Sequence, residues 1–194
     1  MPLFKKRFDP RTLPVYMHPA EFAQVSAVFE ALQPARVLEW GSGGSTRALL
    51  ERFPFIERFV SVEHHPDWYA LVREVLLDPR LSLHHVAPDV PPHSYKVPPR
   101  KTMPWILRGE TDPVVMASYV AFPATLGMTF HLVLVDGRAR TFCMRAAWDL
   151  LEPGGVLLLH DAQRPEYRST LESFPRAAML EPYYQGQVAI VRKS

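Results

Sequence analysis

The sequence LEWGSGGST, at residues 38–46, places three glycines directly after a mostly apolar run. That run, residues 35–40, is typical of a buried strand, and residues 45–53 predict a helix after it. Ligands of open parallel sheets bind at the carboxyl ends of the strands, where helix N-termini add backbone donors. Glycines there let the backbone approach a ligand closely, although a tight turn without a ligand would also use them. The segment therefore predicts a strand, a loop and a helix of a parallel α/β sheet.

The remaining chain alternates strand-like and helix-like segments in the same way. Residues 164–174 predict a helix near the C-terminus, and residues 177–193 predict two strands joined by a turn around Gly186. Such a pair would add an antiparallel edge to an otherwise parallel sheet. Earlier strand candidates lie at residues 58–63, 81–86, 131–136 and 155–160. The pattern predicts an α/β protein whose mostly parallel sheet is covered by helices on both faces.

Length and composition predict one domain, residues 1–194, because 47% of the residues are hydrophobic and supply a sizeable core. The 22 basic and 20 acidic residues leave a net charge of +2 without a basic stripe, so nucleic acid is not implied as a partner. The longest uncharged stretch, residues 114–131, is broken by Pro123, which argues against a membrane span. Residues 1–12 lack the apolar segment of a signal peptide, and Cys143 stands alone. We expect a cytoplasmic location.

The segment between the third and fourth predicted strands, about residues 87–128, is much longer than an ordinary connection. Eight of the chain's 20 prolines fall between Pro88 and Pro123. Proline fixes φ and removes a donor, so we expect a structured insert or lid with one helix around residues 114–122. Such an insert either carries function or covers the sheet edge. The basic residues of the insert, which would attract an anionic acceptor or form a solvated face, are Lys96, Arg100, Lys101 and Arg108.

Two carboxylates distinguish the glycine loop from a dinucleotide-binding loop. Thr46 stands where the dinucleotide pattern needs its third glycine, and Glu39 would be unfavourable beside a pyrophosphate. Glu39 can instead accept a hydrogen bond from a loop amide or face a cationic ligand. Glu63 ends the second predicted strand, where an acidic residue can accept both hydroxyls of a ribose. These features favour a nucleoside with a charged tail that is not a phosphate.

Four segments resemble the successive motifs of class I S-adenosylmethionine-dependent methyltransferases: VLEWGSGGSTRALL from residue 37, FVSVEHHPDWYALV from 59, FHLVLVDGRAR from 130 and LLEPGGVLLLHDA from 150. The resemblance implies a Rossmann-like, three-layer, doubly wound fold. Its mostly parallel sheet would have seven strands in the order 3-2-1-4-5-7-6, with an antiparallel C-terminal strand. It also implies S-adenosylmethionine as the cofactor. The cofactor-binding residues that it implies are Glu39, Gly41, Ser42, Gly43, Glu63 and His64, with His64 beside the adenine.

The ends of the fourth and fifth predicted strands carry the candidate catalytic residues Asp136, His160 and Asp161. Methyl transfer is an in-line displacement that needs alignment and, for a hydroxyl acceptor, a base. These three residues could supply that base or position the acceptor. An arginine–carboxylate network that only shapes this edge is the alternative. The candidate substrate-binding residues are Arg138, Arg140, Arg164, Tyr119 and Trp105, of which the two aromatic residues could equally pack on the sheet.

The layout also resembles the metal-dependent catechol and caffeoyl-CoA O-methyltransferases, in which carboxylates at these strand ends hold a divalent cation. Asp136 and Asp161 match two of those ligands, so a metal is one hypothesis. Ala162 stands where that family has an asparagine ligand, and Ala139 stands where it has a catalytic lysine. Because a hard cation needs several oxygen ligands, a divalent cation is not favoured.

The sequence thus predicts an S-adenosylmethionine-dependent methyltransferase with a small-molecule acceptor and transfer to oxygen. The replaced lysine and asparagine leave open a second reading, a nucleoside-binding or regulatory protein of the same fold without turnover. An aminopropyl transferase is a third alternative, but it needs an acidic polyamine pocket that the basic insert does not suggest.

Overall fold

The structure is a computed structural model that describes residues 12–95, 99–184 and 186–194, with the backbone alone at 99–101. Among the basic residues of the insert, Lys96 and the side chains of Arg100 and Lys101 lie outside the described part. In the described part, no helix is long and apolar enough to cross a membrane.

Seven strands form one sheet in the order β3-β2-β1-β4-β5-β7-β6. Strands β1 to β5 run parallel, whereas β7 is antiparallel to both of its neighbours. The strands are β1 (Arg36–Trp40), β2 (Arg58–Glu63), β3 (Leu81–His85), β4 (Phe130–Val135), β5 (Leu151–Leu159), β6 (Ala177–Met179) and β7 (Ala189–Arg192). The predicted fold class, strand order and antiparallel end of the sheet are confirmed.

Helices cover both faces of this sheet. They are α1 (Pro19–Leu32), α2 (Gly44–Arg52), α3 (Pro66–Val75), α4 (Pro99–Thr111), α5 (Ala117–Ala121), α6 (Arg140–Leu150) and α7 (Arg168–Glu172). Alternation of apolar side chains along the strands divides the core into two layers. Leu38, Val60 and Val133 belong to the layer under α5 and α6, and Val37, Phe59 and Leu132 belong to the layer under α1 and α2. Cys143 is buried in the first layer.

The insert contains more helix than its prolines suggested. The predicted helix around residues 114–122 corresponds to α5 and a following 3₁₀ turn, Phe122–Leu126. Helix α4, which the sequence analysis did not predict, holds Pro104 within its span. Hydrogen bonds join separate parts of the insert: Asp89 accepts from the backbone of Ser118, and Trp105 Nε1 donates to the carbonyl of Val90. Two predictions stay predictions: that residues 1–194 form a single domain, and that the insert acts as a lid.

Candidate functional site

The glycine loop joins β1 to α2 at the carboxyl edge of the sheet, where the strand order reverses between β1 and β4. Gly41 has φ +97° and Gly43 has φ +154°. A Cβ atom at Gly41 would lie 2.8 Å from the backbone nitrogen of Gly137, and one at Gly43 would lie 3.1 Å from Trp68 Cζ2. Both glycines are required by this close approach of the backbone to neighbouring segments. The loop amides at the start of α2 face the crevice where open α/β sheets bind ligands.

Glu39 lies behind the glycine loop and is completely buried. Its Oε2 accepts hydrogen bonds from the hydroxyls of Thr46 at 2.5 Å and Ser61 at 2.9 Å, and its Oε1 lies 3.1 Å from the hydroxyl of Ser45. Burial raises the pKa of Glu39 to about 8, although these hydroxyls oppose the shift. Thr46 also accepts from the amide of Gly43 at 2.8 Å. Glu39 therefore braces the loop from below, and its role toward a cofactor stays a prediction.

Glu63 ends β2 and holds the other side of the loop. Its Oε2 accepts from the amide of Ser42 at 3.2 Å, and its Oε1 accepts from the amides of His64 at 2.8 Å and His65 at 2.7 Å. Burial alone would raise the pKa of Glu63, but His64 and these amides lower it below its ordinary value. Glu63 is thus an ionised carboxylate at neutral pH. Its Oε2, held only by the two longer contacts to Ser42, has acceptor capacity left for a ligand.

Trp68, on α3, is a residue of the site that was not predicted from the sequence. Its Nε1 donates to the carbonyl of Ser42 at 2.7 Å, so the indole holds the glycine loop directly. Its spacing from Glu63 could have indicated this contact. Trp68 lies in the first turn of α3, which begins at the edge of the sheet where β2 ends. His64 lies between these elements and the insert, with its ring stacked 6.1 Å from that of Trp105.

Asp136 follows β4 and His160 follows β5, so the two parallel strands bring them together as predicted. His160 Nδ1 and Asp136 Oδ1 are 2.7 Å apart. Burial alone would lower the pKa of His160, but Asp136 outweighs it and raises this pKa above its ordinary value. Burial alone would raise the pKa of Asp136, but His160 and then Arg140 lower it. The pair is an imidazole held by a carboxylate, an arrangement in which the other ring nitrogen can take up a proton.

Arg140 is buried and fastens the ends of β4 and β5 to each other. Its guanidinium donates to the backbone carbonyls of Asp136, Gly137 and His160. It also lies 3.2 Å from Asp136 Oδ1 and 3.4 Å from Asp161 Oδ2. These contacts favour the network alternative for Arg140 over direct substrate binding. Asp161, at φ 57° in the left-handed region, is held further by Arg164 at 2.5 Å.

Arg138 differs from the other two arginines of this edge. No carboxylate among the described residues lies within ion-pair distance of its guanidinium, and burial lowers the pKa of Arg138 from its ordinary value. It borders both the main cavity and a smaller one, of about 170 Å³, that Trp105 and His64 also line. Arg138 is therefore the cation of this edge best placed for a negatively charged ligand group.

A cavity of about 690 Å³ unites most of the predicted site residues. We call it the main cavity, and its volume lies within the usual range for small-molecule sites. Of the predicted residues, it is lined by Gly41, Ser42, Gly43, Glu63, His64, Asp136, Arg138, Arg140, His160 and Asp161. Tyr16, Met17 and Trp68 line it as well and were not predicted.

The remaining predicted residues lie outside the main cavity. Tyr119 is completely buried in the core beneath β4, and its carbonyl accepts from Trp40 Nε1 at 3.1 Å. Its position matches the alternative of aromatic packing on the sheet. Trp105 borders only the smaller cavity beside His64. Arg164 reaches another cavity on the far side of His160.

The donor set at Asp136 and Asp161 does not fit a divalent cation. Each carboxylate is already paired with an arginine, and Arg140 contacts both of them. Within residues 12–95, 99–184 and 186–194, no group of three or more His, Cys, Asp or Glu side chains has the arrangement of a metal site. A hard cation would have to displace fixed guanidinium groups with too few oxygen ligands in return.

Comparison with known proteins identifies the fold. An O-methyltransferase from Bacillus cereus, in complex with SAH, matches with a TM-score of 0.61 and 14% identity over 94% of this chain and 85% of that one. A methyltransferase-like protein from Silicibacter pomeroyi matches with a TM-score of 0.58 and 22% identity over 93% and 89%. A 16S rRNA N2 G1207 methyltransferase from Thermus thermophilus, in complex with AdoMet and guanosine, matches with a TM-score of 0.57 and 18% identity over 92% and 44%.

These likenesses show that the chain has the class I, Rossmann-like methyltransferase fold, and they confirm the resemblance at that level. No family model matches the sequence, and no curated protein matches it. At these identities the fold does not decide the activity.

Proposed function

We propose that this protein is an S-adenosylmethionine-dependent methyltransferase that transfers a methyl group to oxygen of a small-molecule acceptor. The observation that carries the proposal is the main cavity, in which the glycine loop and Glu63 face the Asp136–His160 pair. Solved neighbours of the same fold contain SAH or AdoMet, which supports the choice of cofactor. A cytoplasmic location stays a prediction from the sequence.

The residues around the main cavity fit the cofactor in shape and charge. Gly41 and Gly43 leave the backbone of the loop accessible, and Glu63 is ionised with acceptor capacity toward the cavity. We assign Glu63 to the ribose hydroxyls, Ser42 and the glycines to the methionine part, and His64 to the adenine. The cofactor supplies a methyl group on a sulfonium, which is already activated for displacement.

His160 and Asp136 supply the protein's part of the chemistry. Asp136 holds Nδ1 of the imidazole, which leaves Nε2 to accept the proton of an acceptor hydroxyl. Arg140 keeps the two strand ends at a fixed separation, so the acceptor and the base remain aligned. We therefore assign His160 as the base, Asp136 as the residue that orients it, and Asp161 to acceptor positioning.

Calorimetric titration with S-adenosylhomocysteine tests the proposal. We expect binding by the wild type and at least a tenfold weaker affinity for Gly41→Val, whose side chain would collide with Gly137. Glu63→Ala should weaken binding similarly because it removes the ribose acceptor. Glu57→Gln, an exposed carboxylate outside the cavity, is the matched control and should bind as the wild type does. Failure of the wild type to bind at millimolar ligand would refute the proposal.

A non-catalytic, nucleoside-binding protein of the same fold is the second candidate. Ala139, at φ 51°, directly precedes α6 at the position where the metal-dependent methyltransferases that the sequence resembles carry a lysine, and this observation favours the candidate. Both candidates predict cofactor binding, so they are separated by turnover. Transfer of labelled methyl groups from the cofactor to any of a panel of small hydroxylated acceptors supports the methyltransferase. Cofactor binding without any transfer supports the second candidate.

A further inference from the structure

A second cavity, of about 540 Å³, adjoins the main cavity on the far side of His160. We call it the side cavity. Tyr16, His160 and Asp161 border both cavities, so the imidazole stands at their junction. The side cavity is lined by the start of α1, which contributes Glu21, and by the segment before β7, which contributes Tyr183 and Gly186.

The two nitrogens of His160 face different cavities. Nδ1 is held by Asp136, which lines the main cavity. Nε2 lies 3.6 Å from Glu21 Oε2, which is beyond hydrogen-bond distance, and 4.0 Å from Asp161 Oδ1. Nε2 therefore faces two carboxylates that line the side cavity. An acceptor molecule bound in the side cavity can reach Nε2 from there.

Glu21 is a buried carboxylate in the wall of the side cavity. It is only 2% exposed, and its Oε2 accepts from the amide of His18 at 3.0 Å. Its Oε1 has no hydrogen-bond partner within the described part of the chain. A Cβ atom on Gly186 would lie 2.1 Å from this oxygen, so glycine at this position leaves room for it. A buried carboxylate with an oxygen that lacks a donor is costly, and a ligand in the side cavity that donates to the Glu21 carboxylate would reduce that cost.

The neighbouring charges indicate which donor fits. Asp161 is paired with Arg164 and Asp136 with Arg140, whereas no arginine or lysine among the described residues pairs with Glu21, whose Oε2 lies 3.6 Å from His160 Nε2. Aromatic rings form part of the same wall: His18 and Tyr183 stack with centroids 5.9 Å apart, and Tyr16 lies at the junction. A buried carboxylate among aromatic faces is the chemistry that binds an ammonium group.

We propose that the side cavity binds an acceptor that carries both a protonated amine and a hydroxyl group, with the amine on Glu21 and the hydroxyl at Nε2 of His160. The inference deepens the proposed methyltransferase function and rests on it for the fate of the hydroxyl. It differs from the anionic acceptor that the basic insert suggested. Of the insert's basic side chains, Arg108 is described, and it is paired with Asp112.

Three probes of matched size test the charge preference on wild-type protein saturated with S-adenosylhomocysteine. Tyramine carries the amine, 4-ethylphenol lacks it, and 3-(4-hydroxyphenyl)propionate carries a carboxylate in its place. We expect tyramine to bind at least tenfold more tightly than either of the others, as measured by calorimetry. Equal or weaker binding of tyramine, or no binding at millimolar concentration, overturns the inference.

Glu21→Gln tests the assigned residue. It should weaken tyramine binding at least tenfold and leave the affinity for S-adenosylhomocysteine unchanged. Glu30→Gln, an exposed acidic residue on the same helix, is the control and should change neither affinity. Unaltered tyramine binding by Glu21→Gln overturns the assignment. If that variant does not fold, the comparison of probes on the wild type decides.

The two proposals fail in different ways. Absence of S-adenosylhomocysteine binding refutes the methyltransferase function, and tyramine is then titrated into the cofactor-free protein. A preference for tyramine over 4-ethylphenol in that titration still supports the amine site, and its absence overturns it. Normal cofactor binding together with no preference among the probes overturns the amine site alone.

Discussion

His160 is the residue at which the chemistry of the site converges, since it contacts Asp136 and lies near Glu21 and Asp161. Asp136 and His160 could be predicted from the sequence because side chains that follow parallel strands meet at one edge. Glu21 could not, because it is one acidic residue in the first turn of α1. Only the folded chain brings that turn beside β5, and no periodicity encodes the contact.

The raised pKa of His160 depends on Asp136, so we expect Asp136→Asn to lower that pKa toward or below its ordinary value. Burial would then act without the opposing carboxylate. Titration of the imidazole Cε1 proton by NMR measures the shift, which should be downward. Asp89→Asn is the control, because Asp89 bonds Ser118 and does not line the main cavity. An unchanged His160 titration in Asp136→Asn would show that the carboxylate does not set the pKa.

At the scale of elements, α4 shows how a proline-rich insert becomes ordered. Glu110, near its end, is buried and accepts from both the amide of Thr141 at 3.0 Å and its hydroxyl at 3.1 Å. Thr141 lies in the first turn of α6, whose amides need an acceptor. A carboxylate there also complements the helix dipole. The sequence could not show this, because the cap comes from 31 positions earlier in the chain.

We expect Glu110→Ala to lower the free energy of unfolding by about 1–2 kcal/mol, the usual effect of losing a helix cap. The loss is at the upper end because it leaves a buried amide of α6 without an acceptor. Urea denaturation measures it. Glu172→Ala is the matched control: it breaks an exposed pair with Arg168 and should cost much less than Glu110→Ala. Equal losses in the two variants would mean that Glu110 does not fix the insert.

At the scale of the whole molecule, the alternation of segments was enough to predict the sheet, because each strand is a mostly apolar run bounded by turn residues. The predicted and observed limits of β2 coincide at residues 58–63. Helix α4 was missed because Pro98, Pro99 and Pro104 argue locally against a helix, although proline is tolerated in a first turn. The position of the side cavity was missed because two distant parts of the chain, α1 and the segment before β7, form it.

The stability of the whole chain should depend on pH in two opposing ways. Glu63 and Asp136 have lowered pKa values, so their contribution is present above their unfolded values and is lost as pH falls through the folded ones. His160 has a raised pKa, so its contribution is complete below about 6.5 and is lost as pH rises through the folded value. Glu39, with its pKa raised from 4.5 to about 8, also destabilises the fold as pH rises between those values. We expect maximum stability at mildly acidic pH.

We expect Glu39 to account for the largest part of the stability that the protein loses as pH rises from about 5 to 8. Glu39→Gln should remove that part of the loss. A neutral acid can donate to Ser45 and accept from Thr46 and Ser61, and the amide of glutamine reproduces this pattern without a charge to lose. Relative to wild type, the variant should gain about 3 to 4 kcal/mol between pH 5 and pH 8, since one pH unit contributes at most about 1.4 kcal/mol for one proton. Urea denaturation across this range measures the gain, with Glu57→Gln as the exposed control. Parallel pH curves for Glu39→Gln and wild type would mean that Glu39 is already ionised in the folded protein.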